Sequence, residues 1–111
     1  MRSSELNFKI HLDDKNVPEA ITWDATDKPA DANTATKAIA VALWDDEQQN
    51  TMRMDLWTKD MNTQDMKRFC VNAIGGIGDT LQAATNDNKM TEKIHQLCQE
   101  LVKYMNENPE K

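Results

Sequence analysis

The run Ala38-Ile39-Ala40-Val41-Ala42-Leu43-Trp44-Asp45 is answered by Thr51-Met52-Arg53-Met54-Asp55-Leu56-Trp57. Both alternate with a period of two, which places successive side chains on opposite faces of a strand. With the turn centred between Glu47 and Gln48, Leu43 faces Met52, Val41 faces Met54 and Ile39 faces Leu56. On the opposite face Ala42 meets Arg53, Ala40 meets Asp55 and Ala38 meets Trp57. A one-residue slip would exchange the two faces, so the register is strongly specified. The outer face should meet water, yet it carries Trp44 and Trp57 among three alanines. Tryptophans placed there mark a contact surface, and Arg53 and Asp55 share that face. These four residues, Trp44, Trp57, Arg53 and Asp55, form the candidate partner-binding set. The plainer alternative for the charged pair is a surface ion pair worth about 0–1 kcal/mol.

Upstream, Leu6, Phe8, Ile10 and Leu12 alternate with Glu5, Asn7, Lys9 and His11 as a first strand. Asp13-Asp14-Lys15-Asn16 supplies turn chemistry. Pro18 opens a second strand with Ile21, Trp23 and Ala25 inward, where Leu12 is expected to face Ile21 and Ile10 to face Trp23. Residues 26–36 are polar and read as a mobile loop. After the hairpin the period changes to about 3.6. Asn62 can cap a helix running to about Ala84, with Met66, Phe69, Cys70, Ala73, Ile74, Ile77 and Leu81 as its apolar stripe. A second helix carries Met90, Ile94, Leu97, Cys98, Leu101, Val102 and Met105. Residues 106–111, with Pro109 as a stop, form a frayed tail. The expected fold is α+β: one four-stranded antiparallel meander and two C-terminal helices packed on one face, in the order β-β-β-β-α-α.

A chain of 111 residues reads as one domain, 1–111. Its formal net charge of −6 and pI near 4.8 repel nucleic acid and anionic lipid, which disfavours both as partners. No apolar stretch approaches the roughly 20 residues that cross a bilayer. The opening Met1-Arg2-Ser3-Ser4-Glu5 lacks the apolar run of a signal peptide. The expectation is a soluble cytoplasmic protein without membrane insertion.

No residue set points to catalysis, a cofactor or a metal. Cys70 and Cys98 fall on apolar helix stripes and read as core, and His11 and His95 have no nucleophile or ligand at recognisable spacing. Gly75-Gly76-Ile77-Gly78 lacks the Lys-Ser/Thr of a phosphate loop, so it implies close helix packing. Trp57-Thr58-Lys59-Asp60 reads as loop geometry at a strand-to-helix junction. Met52, Met54, Met66 and Met105 fall on inner faces and read as core.

Leu43-Trp44-Asp45, the run from Thr51 to Met61, then Asp79-Thr80 and Ala84-Thr85 resemble the gliding motility protein GldC family of the Bacteroidetes over nearly the whole chain. Met54 to Met61 is the most specific part. Departures lie at Asp27–Thr36 and in the Gly75–Gly78 run. The resemblance implies a small soluble accessory factor, without enzyme activity, whose partners belong to the gliding or linked secretion machinery. In topology alone, four antiparallel strands followed by two helices are similar to the export chaperone SecB. That likeness implies an alternative, a holdase for unfolded exported polypeptides. The first strand reads as an open edge, and pairing two such edges across a twofold axis would make a homo-oligomer; the alternative is that Lys9 on that strand guards the edge.

Overall fold

Asp13 sets the first turn. In the computed structural model, which describes residues 2–109, its carboxylate accepts the backbone N–H groups of Lys15 (2.8 Å) and Val17 (3.0 Å). Its own N–H donates to the Val17 carbonyl at 2.9 Å, and Asn16 turns the chain at φ 61°. Asn tolerates this left-handed conformation better than most residues. The turn joins β1 (Leu6–Leu12) to β2 (Pro18–Ala25). It closes earlier than expected, so the register differs by two residues: Ile10 faces Ile21, Phe8 faces Trp23 and Leu12 faces Pro18, with an irregularity between His11 and Leu12. The displacement is even, and the two faces keep their side chains.

The single four-stranded meander is not what forms. The strands make two antiparallel sheets, β1-β2-β3 and β4-β5. The extra strand, β3 (Ala35–Thr36), lies in the stretch read as loop and pairs with Thr22 and Ile21. The Trp23 N–H donates to the Thr34 carbonyl at 2.8 Å, and the Asn33 side chain accepts the Ala35 N–H. At Lys37 the chain leaves the first sheet and starts β4 (Ala38–Asp45), which pairs with β5 (Asn50–Trp57) in the predicted register throughout.

The two sheets are tied at one corner. The Thr58 N–H donates to the Lys37 carbonyl (2.8 Å) and the Lys59 N–H to the Pro18 carbonyl (2.9 Å). Ile21, Ala38, Ile39 and Thr58 are buried in this strand unit, which ends at Met61. The buried Thr58 hydroxyl donates to Asp60 at 2.6 Å, so it carries no unmet hydrogen-bonding demand. Away from the corner, the face expected inward is open. Leu43, Met52 and Met54 are each more than half exposed, which corrects the reading of Met52 and Met54 as core.

The Asp13 carboxyl is held below the usual carboxylate range, first by the Val17 amide, then by the Lys59 ammonium 3.0 Å away and the Lys15 amide. A depressed folded pKa stabilises fully above the unfolded value of about 3.9, and that stability is lost as pH falls through the lower folded value. Asp13→Asn should therefore be less stable than the parent near neutrality and lose less on acidification from pH 5 to pH 2. Urea unfolding followed by tryptophan fluorescence checks this, since all three tryptophans lie in the strand unit. Parallel pH profiles for the two proteins would contradict it.

The helical unit begins at Asn62. Its side-chain carbonyl accepts the Asp65 N–H at 2.7 Å while its amide donates to the Asp65 carboxylate at 2.9 Å, a reciprocal cap of the kind that stabilises by about 1 kcal/mol. Helix α1 (Thr63–Thr85) ends in a left-handed Asn86, and α2 (Asn88–Glu107) is capped by Asp87. Helical structure thus extends through Glu107, into the segment read as a frayed tail, whose last residues, Glu110 and Lys111, lie outside the described residues.

Close packing between α1 and α2 is confined to one of the three glycines. A Cβ on Gly78 would sit 2.9 Å from Cγ2 of Ile94 and 3.3 Å from Nε2 of His95, whereas one on Gly76 would meet nothing within 4 Å. Gly76→Ala should stabilise the helices by about 1 kcal/mol. Gly78→Ala gains the same propensity but costs about 1–3 kcal/mol of overpacking against a branched side chain that cannot swing away. Unfolding followed at 222 nm should show opposite signs for the two, and equal stabilisation would contradict the packing.

Candidate functional site

The β4–β5 hairpin presents the four predicted residues on one face, because the ladder pairs Ala38 with Trp57, Ala40 with Asp55, Ala42 with Arg53 and Trp44 with Thr51. Their turn is built by Asp45, whose carboxylate accepts the N–H groups of Glu47 and Gln48, with Gln49 at φ 54°. Trp44 is 61% exposed and Trp57 51%. They do not form one aromatic platform. Trp57 sits at the base of the hairpin and Trp44 at its turn, six ladder positions or roughly 20 Å apart at 3.3 Å per residue. Ala40 and Ala42, both exposed, form a low floor between them.

Arg53 and Asp55 stand beside that floor. The guanidinium grips the carboxylate with two bonds, Nη2 to Oδ1 at 2.8 Å and Nε to Oδ2 at 3.2 Å. This bond to Asp55 and the attraction of its charge raise the Arg53 pKa above its ordinary value. A two-pronged Arg–carboxylate pair has a fixed geometry, so its free donors and acceptors point in set directions. At the turn, the Trp44 indole N–H donates to the Asp46 carboxylate at 3.3 Å, which restrains the ring while leaving its face open.

Beside Trp57 lies a shallow cavity of about 270 Å³, lined also by Val17, Pro18, Asp55, Leu56 and Lys59. Lys59 reaches Asp13 at 3.0 Å and Glu19 at 3.6 Å, and its pKa is raised, chiefly by the bond to Asp13. Sequence reasoning missed Val17 and Pro18 as neighbours of Trp57, since the backbone bond from Lys59 to Pro18 and the Lys59 side-chain bonds to Asp13 and Glu19 bring them there across a long stretch of chain. Thr58, Lys59 and Asp60 hold the corner, as the junction reading expects. Asp60 is held below its usual range by the Thr58 hydroxyl and then by Lys37 at 3.3 Å.

Cys70, Cys98 and His95 belong to the helical unit. Cys70 is exposed, contrary to its reading as core, and Cys98 is half-buried with its thiol 3.8 Å from the Val71 carbonyl. His95 lies 3.2 Å from Asp79. Among the described residues no three His, Cys, Asp or Glu gather as metal ligands, and no helix is long and apolar enough to cross a membrane.

Compared with known proteins, residues 18–107 match a family model described as gliding motility-associated protein GldC-like. No curated protein and no solved structure matches the chain.

Proposed function

This chain belongs to the GldC-like family of gliding motility-associated proteins, and from that premise we propose that it is a non-enzymatic adaptor. It docks a protein of the gliding or linked secretion machinery on the outer face of the β4–β5 hairpin, and it works in the cytoplasm. The observation that carries this reading is the composition of that face. Two half-exposed tryptophans bracket a floor of alanines, and an oriented Arg53–Asp55 pair stands between them. Aromatic anchors with an arginine nearby are the residues that dominate binding at interfaces, and the floor admits a partner segment close to the sheet. The family is associated with motility and is not one of known enzymes, which agrees with a binding role.

The holdase alternative rested on likeness to a single four-stranded sheet. The strands divide three and two, so nothing specific favours it.

The test is a substitution that blocks the floor and keeps both tryptophans. Ala40 lies opposite Asp55, so Ala40→Lys places a long chain across the floor while gaining a carboxylate partner. Affinity capture from gliding cells should recover a stoichiometric machinery protein with the parent chain and lose it with Ala40→Lys. Equal recovery would remove this face from the mechanism.

A further inference from the structure

Met90, Leu97 and Tyr104 recur every seven residues along α2 and are 51%, 45% and 60% exposed. Seven-residue spacing drifts only about 20° per repeat on a straight helix, so the three form one stripe. It runs along the border of the side of α2 that packs on α1. Ile94 lies on that inner side against Gly78, and Leu101 and Tyr104 line an apolar groove with Met66, Val71 and Ile74 of α1, Tyr104 keeping 60% of its surface exposed.

The charges beside the stripe are ordered. Lys89 and Lys93 flank it in the first half of the helix, Glu100 and Glu107 in the second, all on the side away from α1 by helical phase. This order opposes the helix dipole, which favours acids at the N-terminus and bases at the C-terminus. The first turn holds no acid and the last turn no base. Among the described residues none of these four makes an ion pair. The helix gains nothing from its own dipole by this arrangement, whereas pairing with an antiparallel copy sets the lysine half of each helix against the glutamate half of the other.

We propose that α2 is a self-association surface on which a second copy of this chain packs antiparallel, across a twofold axis at Leu97. The rotation sets Leu97 against Leu97, and Met90 against Tyr104 of the second copy. It also brings Lys93 beside Glu100 and Lys89 beside Glu107, each contact occurring twice as an isologous interface requires. A parallel pairing would carry the charged sides of the two helices to opposite flanks of the interface and leave them unpaired, so the charges select the antiparallel arrangement. The proposal uses residues of α2 alone, so its test does not depend on the hairpin face or on the β1 edge.

Sedimentation equilibrium of the purified chain at tens of micromolar reads the outcome. A dimer of twice the 12.7 kDa chain mass is expected. Leu97→Glu, which sets two carboxylates on the twofold axis, should weaken it tenfold or more with helicity at 222 nm unchanged. Lys93→Glu and Glu100→Lys should each weaken it, and the double exchange should restore it. A monomer at all concentrations, or a dimer indifferent to Leu97→Glu, would overturn the proposal. So would charge exchanges that weaken additively, because restoration is the signature of direct pairing.

Discussion

Trp57→Asp is expected to weaken partner binding at least about 30-fold, the loss of a single interface anchor worth about 2 kcal/mol. The effect should exceed that of a typical surface change because Trp57 acts in two ways. Its exposed half offers aromatic area at the base of the hairpin, and it lines the cavity shared with Val17 and Pro18. An aspartate there removes both and adds a negative charge next to Asp55. The fold should survive, since the ring is half in solvent and the residue opposite is only Ala38. The lost half-burial costs about 1–2 kcal/mol. Titration of the captured partner, with an unfolding curve of the variant beside it, separates weakened binding from lost structure. Unchanged affinity in a folded variant would contradict the role of Trp57.

The largest loss of stability should come from Ile21→Ala. Ile21 is 1% exposed, the most completely buried apolar side chain in the strand unit. It faces Ile10 on one side and Thr36 on the other, and so holds β1, β2 and β3 together. Removing its outer carbons costs about 2–5 kcal/mol as lost transfer energy and a cavity. A unit of about sixty residues has on the order of 3–9 kcal/mol in all, so the variant should sit near its unfolding threshold. Tryptophan fluorescence in urea would show a midpoint displaced to low denaturant, while helical signal should be far less affected. A shift smaller than that of an exposed control such as Leu6→Ala would contradict the placement of the core.

The β4–β5 ladder was legible because two alternating runs of equal length flank a polar turn, and parity leaves only one arrangement that segregates the faces. Asn62 announces α1 through its capping chemistry, whereas the Asp87 cap of α2 is found in the structure. The β1–β2 register was less legible, since a two-residue displacement preserves both faces and only the early closure at Asp13 chooses between them. Strand β3 has no periodic signal, being two residues in a polar stretch. The exposure of Met52, Met54 and Cys70 was illegible for a different reason. Alternation says which face a side chain occupies, not whether anything covers it. For the candidate site, the shared face of Trp44, Trp57, Arg53 and Asp55 could be read from parity. The roughly 20 Å that separates the tryptophans follows from the same ladder. The corner that brings Pro18 to Lys59 could not be read, because it is made by backbone groups whose residues share no pattern.

The most direct test of docking on the hairpin is oxidative footprinting of the tryptophans, with the captured partner bound and with the chain alone. Trp23, partly buried with the Lys28 ammonium 5.3 Å from its ring centre, serves as the internal reference. Trp44 and Trp57 should both lose reactivity in the complex while Trp23 keeps its own. If Trp44 and Trp57 react in the complex as they do in the free chain, the partner binds elsewhere and the account of this face is wrong.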